Sequence, residues 1–279
     1  MLITSVHNPR IRALIHLRER RHREAEGVIL IEGADELALA LRAGVQPRAV
    51  FVCRERLGAA GPPFPLPAGA EVFEVSRPVF EKIAYRENPD GWLAVAPAPR
   101  WSLDGLAQEL DRAEAGRAPG RGGADRHPPL LLVCEAVEKP GNLGAMLRTA
   151  DAAGADGVIV CDPATDLGNP NVVRASRGAL FSVPVALAAS RDALAWLKAR
   201  GIATVAATPQ ADRLYTDLDL RGPVALAVGA EDAGLSAAWL EQADLTARIP
   251  MTGRVNSLNV AASAALLLYE AVRQRQRGR

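Results

Sequence analysis

The sequence predicts an α/β protein of two units, a smaller one followed by a larger one built on a mainly parallel sheet. Three observations carry this. After residue 129, short apolar runs alternate regularly with helical stretches, the pattern of a parallel sheet with helices on both faces. Before residue 98 a shorter α/β pattern stands by itself. Between them, residues 96–99 and 112–129 are rich in Pro, Gly, Ala and Arg, and 115–124 show no periodicity, so residues 98–129 are expected to be a flexible linker. A length of 279 residues suits this division into 1–97, 98–129 and 130–279, and 49% hydrophobic content supports a sizeable core.

In the first unit, residues 28–31 read as a strand, 34–43 as a helix and 49–53 as a second strand. A proline-rich loop follows at 61–67, then a strand at 72–75, a helix at 78–84 and a last strand at 92–95. In the second unit, strands are expected at 130–134, 157–161, 183–187, 202–206, 224–228 and 245–249. Helices are expected at 143–153, 172–180, 191–199 and 237–242. A closing helix carries Leu258, Ala262, Ala265, Leu266 and Tyr269 at helical spacing.

Net charge is only +1, but it is unevenly spread. Arg10, Arg12, Arg18, Arg20, Arg21 and Arg23, with His16 and His22, stand against the single acid Glu19. Arg273, Arg275, Arg277 and Arg279 make a second basic end. The guanidinium fork matches phosphate oxygens, so Arg10, Arg18, Arg20, Arg21 and Arg23 are candidate contacts to a nucleic-acid backbone. A solvated helix face is the alternative. Cys53, Cys134 and Cys161 have no paired spacing, which argues against a disulfide framework or zinc site and for a reducing cytoplasm. The chain does not open on an apolar signal segment and has no run of membrane-spanning length, so a soluble cytoplasmic protein without a membrane partner is expected. There is no G-x-G-x-x-G after the first strand of the second unit, no Walker loop and no G-x-S-x-G elbow. The histidines, His7, His16, His22 and His127, all precede the second unit, which argues against histidine bases or a metal site there.

In sheets of this kind ligands bind at the carboxyl ends of the strands. Three segments qualify. Residues 138–150 open a helix after the first strand, with Asn142 as a plausible cap and Arg148 within the helix. Residues 227–236 hold Gly229, Glu231 and Gly234, with Glu231 either a cap acceptor or a partner for Arg148. Residues 248–260 form an unusually polar entry to an apolar helix, where Asn256 or Ser257 would cap and main-chain groups are open to a ligand.

In this order and at these distances, the segments resemble the signature motifs of the SpoU (TrmH-type) branch of the SPOUT methyltransferases, over residues 130–274. Asn142, Gly144, Arg148, Thr149 and Ala150 fit the first motif; Gly229, Glu231, Gly234 and Leu235 the second; Ile249, Pro250, Met251, Gly253, Ser257, Leu258, Asn259 and Val260 the third. The run from Arg174 to Phe181 is also similar to the family. The first half is similar to the L30e-like substrate-binding domain of ribosomal RNA enzymes through Ile3, Ser5, Asn8, Pro9, Arg23, Glu32, Gly33, Pro89 and Gly91, with Asp90 where the family often has glutamine.

The resemblance implies a trefoil-knotted catalytic domain, an exception to the rule against threaded chains. It implies a homodimer packed through the knotted domains, with Arg148 close to the partner's cofactor. S-adenosylmethionine would be held through backbone groups at Gly229, Ile249 and Leu258, with Met251 and Thr208 as further contacts. The implied reaction moves a methyl group to a ribose 2′-hydroxyl of RNA, foremost 23S ribosomal RNA, with Arg148, Asn142, Glu231, Ser257 and Asn259 as the catalytic set. Transfer RNA is the alternative substrate. A non-catalytic RNA-binding protein on the same fold is a second reading, and a Rossmann-type dinucleotide enzyme, weakened by the missing glycine fingerprint, a third.

Overall fold

A computed structural model describes residues 2–57, 64–65, 69–116 and 127–277. In chain order the elements are β1 (Leu2–Ile3), α1 (Pro9–His16), α2 (Arg20–Glu26), β2 (Val28–Glu32), α3 (Ala34–Arg42), β3 (Ala49–Val52), α4 (Arg54–Leu57), β4 (Glu71–Val75), α5 (Arg77–Ile83) and β5 (Trp92–Pro97). Then come α6 (Leu103–Gly116), β6 (Leu130–Glu135), α7 (Pro140–Ala152), β7 (Gly157–Cys161), α8 (Pro170–Ala175), α9 (Ala179–Ser182), β8 (Val185–Ala188), α10 (Ser190–Ala199) and β9 (Ala203–Ala207). A 3-10 turn (Tyr215–Asp217), β10 (Val224–Val228), α11 (Ala237–Gln242), β11 (Leu245–Ala247) and α12 (Val260–Arg277) complete the chain. Most of the expected proline-rich loop at 61–67 lies outside the described residues.

The chain forms two compact units, Met1–Pro99 with Asp166–Ser182, and Arg100–Thr165 with Val183–Arg279. The first is a mixed sheet in the order β1-β4-β3-β5-β2, parallel from β1 through β3 and antiparallel at β5. Its core joins Ile11, Leu14 and Leu17 to Leu30, Phe51, Val79, Phe80 and Leu93. Helix α1 starts where Asn8 Oδ1 accepts the Arg10 amide at 2.9 Å and Pro9 fills the first turn. Helix α2 stops at Gly27, whose φ of 60° is the left-handed cap conformation. Both helices fall in the basic stretch of the sequence: arginines interrupt the apolar spacing of α1, and α2 has none, burying only Arg23.

The second unit is a six-stranded, wholly parallel sheet in the order β11-β9-β10-β6-β7-β8. After β11 at one edge, the chain turns back to the middle of the sheet, where α12 packs on β10, β6 and α7. This return brings the entry to α12 to the carboxyl ends of β6 and β10. Strands β6, β7 and β10 are buried along their whole length, as expected for a sheet covered on both faces.

Two expectations need correction. Residues 98–129 are not a structureless linker: α6 lies within them, and Leu106 and Leu110 enter the core of the second unit. Their three- and four-residue spacing with Leu103 is helical, but the flanking Pro and Gly hide it. The glycine-rich run itself, at 117–126, lies outside the described residues. The single helix expected at 172–180 is two, α8 and α9, broken where Arg177 (φ 53°) and Gly178 (φ 89°) turn left-handed. Among the described residues, no helix is long and apolar enough to cross a membrane, and no His, Cys, Asp or Glu group could hold a metal ion.

Candidate active site

The three polar segments meet at the carboxyl ends of β6 and β10. Asn142 lies in the first turn of α7, but it is not the cap: Lys139 holds that position. The Asn142 Nδ2 donates to Glu231 Oε1 at 2.5 Å, and its Oδ1 accepts from Asn259 Nδ2 at 3.1 Å. Asn259 is the cap of α12, its Oδ1 accepting the Ala261 and Ala262 amides at 2.9 and 3.4 Å. The expected caps Asn256 and Ser257 lie in the exposed loop before it. The chain of bonds has one direction. Because Asn259 caps through oxygen, its nitrogen must donate, Asn142 must accept through oxygen, and Glu231 must accept in turn. Glu231 also accepts the Glu138 amide at 3.4 Å. Burial alone would raise its carboxyl, but the Asn142 bond, its own and the Glu138 backbone N–H groups and the Lys139 charge together hold it below the ordinary range.

Arg148 is not the partner of Glu231. It is exposed and has no hydrogen bond or ion pair among the described residues. Its side chain faces solvent, free to meet an external anion. Ser257 is exposed too, and no side-chain bond joins it to Asn142 or Asn259. Of the five residues expected in the catalytic set, the fold therefore links three directly.

The loop after β10 is tightly folded. Ala230 and Gly234 exchange two backbone bonds of 3.0 Å, with Gly234 left-handed at φ 70°. A Cβ on Gly229 would overlap the Gly234 carbonyl and the Leu235 nitrogen, so no other residue fits there. Strand β11 ends at Ala247, short of Ile249. This leaves the backbone groups of Ile249, Met251 and Leu258 without protein partners among the described residues. Leu258 is 40% exposed. Such open main-chain donors and acceptors beside a fixed loop suit a ligand gripped through the backbone. Thr208 follows β9; its amide donates to Ala247 O at 2.9 Å and its hydroxyl pairs with Gln210.

The basic stretch of the first unit divides by burial. Arg23 is buried and structural: it donates to Leu17 O at 2.9 Å and Arg18 O at 2.7 Å and pairs with Asp166 at 2.5 Å. It is unavailable to a phosphate. Arg18 binds the Lys82 and Ala84 carbonyls and lies over the Tyr85 ring. Arg10, Arg20 and Arg21 remain exposed, beside the stacked rings of His16 and His22. The sequence gives no sign of this division, because only tertiary contact separates Arg23 from its neighbours.

A wholly parallel sheet with a helix returned to its middle, and glycine and asparagine loops gathered at its carboxyl ends, is the arrangement expected of an S-adenosylmethionine-dependent methyltransferase of the SPOUT class. Residues 129–269 match the SpoU rRNA Methylase family, and residues 8–94 match the MRM3-like substrate binding domain. The chain belongs to the SpoU rRNA methylase family. It is 31% identical to the 23S rRNA (guanosine(2553)-2′-O)-methyltransferase RlmP of Bacillus subtilis, over 96% of this chain and 97% of the relative. The crystal structure of an RNA 2′-O ribose methyltransferase is 42% identical, with a TM-score of 0.79, over 99% of this chain and 100% of that one. AviRb from Streptomyces viridochromogenes, a SpoU methyltransferase solved in complex with the cofactor AdoMet, is 30% identical with a TM-score of 0.80, over 98% of this chain and 100% of that one. The protein is thus an enzyme, and neither the dinucleotide reading nor the non-catalytic one stands.

Proposed function

We propose that this enzyme methylates one ribose 2′-hydroxyl of 23S ribosomal RNA. The observation that carries the reading is the one-way chain Asn259–Asn142–Glu231, set beside backbone groups of Ile249, Met251 and Leu258 that have no partner among the described residues. S-adenosylmethionine supplies the electrophilic methyl group when bound. Gly229, Ile249 and Leu258 hold it through the main chain, with Met251 and Thr208 flanking. The 2′-hydroxyl is a poor nucleophile and loses its proton as it attacks. Arg148 is no base, because guanidinium stays protonated. It grips the phosphate beside the target ribose, orients the hydroxyl and stabilises developing negative charge on its oxygen. The phosphate or a water takes the proton. Ser257 and Asn259 fix the ribose, and Glu231 fixes Asn142.

The first 97 residues serve as the substrate-binding domain, with the exposed Arg10, Arg20 and Arg21 on the RNA backbone. A second copy of the chain covers the apolar face made by Leu258, Leu266 and Tyr269, the last two 39% and 49% exposed. In that dimer Arg148 works near the partner's cofactor. The substrate-binding domain matched at residues 8–94 favours ribosomal over transfer RNA. The test is mapping of 2′-O-methyl groups in cells with and without the protein. Loss of a single 23S site supports the reading; unchanged ribosomal RNA with a lost transfer-RNA methyl replaces it. Arg148→Lys tests the planar fork: turnover should fall at least about tenfold with RNA binding intact, and near-normal turnover removes the fork from the mechanism.

A further inference from the structure

Glu135, the last residue of β6, is 3% exposed, and no Lys or Arg pairs with it among the described residues. It faces donors only. Its Oε1 accepts from Ser190 Oγ at 2.5 Å and Ser236 Oγ at 2.6 Å, and its Oε2 accepts the Ser236 amide at 2.7 Å. Ser190 Oγ in turn accepts Trp239 Nε1 at 3.1 Å. A buried carboxylate without a cation is costly, and an apolar residue often serves stability as well. Its position needs another reason.

That reason lies in what Ser236 ends. The loop leaving β10 runs from Gly229 through Glu231 to Ser236. At its start, Gly229 packs directly on the backbone of Gly234 and Leu235. At its end, Ser236 sits at the cap position of α11 yet makes no side-chain cap bond; its hydroxyl goes to Glu135 instead. Between them Leu235 is buried in the same core as Trp239. The loop is thus clamped at both ends, and Glu135 is the only charged group in the clamp described. We propose that Glu135 is a positioning residue. Through Ser236 it sets the backbone of 229–231 for the cofactor and the Glu231 carboxylate for Asn142. This rests on the reading that Gly229 and Leu258 hold S-adenosylmethionine.

The test is calorimetric binding of S-adenosylmethionine to the full-length protein, with thermal denaturation of each variant. Glu135→Gln and Ser236→Ala should each weaken binding about tenfold, since both remove bonds to a charged acceptor. The double variant should be no weaker than the worse single one, because both act through one network. Leu106→Ala, a core truncation on α6, should lower the melting temperature and leave the affinity unchanged, which separates positioning from mere stability. Wild-type affinity in folded Glu135→Gln, or single losses that multiply in the double variant, overturns the proposal. If Glu135→Gln does not fold, Ser236→Ala decides by the same affinity criterion. Leu258→Pro, which removes a main-chain N–H from the segment that grips the cofactor, tests the underlying cofactor reading. If it binds normally, that reading fails; if it loses binding while Glu135→Gln does not, only the role of Glu135 fails.

Discussion

At Gly229 the chain has no room for a side chain, and the obstruction is backbone rather than a movable side chain. Gly229→Ala should therefore lie toward the upper end of the overpacking range, about 1–3 kcal/mol. Denaturation should show the loss of stability and calorimetry a loss of cofactor binding; an unaltered protein would mean that the loop shifts freely. Glu231 makes a different prediction. Its carboxyl is held below the ordinary range in the folded state, so the order it gives Asn142 is present above the unfolded value. That order is lost as pH falls through the lower, folded one. Methyl transfer should show an acid limb below the usual glutamate range, and Glu231→Gln should abolish that limb. An acid limb unchanged in the variant assigns it elsewhere. Asn142, Glu231 and Asn259 were legible as motif residues. Their bonding was not, because the partners are 89 and 117 positions apart in the chain.

Elements were legible where burial imposes a continuous apolar run. Strands β7 and β10 fall on their expected residues, because a parallel strand covered on both faces has no polar position to blur its ends. Helix entries were less legible, since each of several polar residues suits a cap. At α12 the cap is Asn259, the one whose side chain also reaches Asn142. Asn259→Ala should cost about 1 kcal/mol as a cap and should lower turnover by more than that stability loss explains. Turnover that only tracks folding would make Asn259 a cap alone. Helix α6 was missed because composition outweighed its apolar spacing. Leu106→Ala should cost about 2–5 kcal/mol by denaturant unfolding, as for a fully packed leucine. A midpoint like wild type would return α6 to the status of a linker.

Across the whole molecule, sequence order and spatial order part company at residues 166–182. They stand between β7 and β8 of the second unit's sheet, yet belong with the first unit. Within that unit Asp166 pairs with Arg23, and a Cβ on Gly178 would press on Leu39, so the segment is tightly packed there. No pattern in a linear chain announces such an exchange, because α8 and α9 look like any helices between two parallel strands. The basic stretch should accordingly separate into two behaviours. Arg23→Ala leaves Asp166 with its side chain 16% exposed and its cation gone, so it should destabilise by about 3–5 kcal/mol and open residues 166–182 to protease. Arg10, Arg20 and Arg21 are exposed, so replacing all three by alanine should leave stability within about 1 kcal/mol of wild type. It should instead flatten the salt dependence of ribosomal RNA binding by about two in the log–log slope, as three lost phosphate contacts require. An unchanged slope in the triple variant moves the RNA path off α1 and α2, and an Arg23→Ala protein as stable as wild type denies the ion pair its structural role.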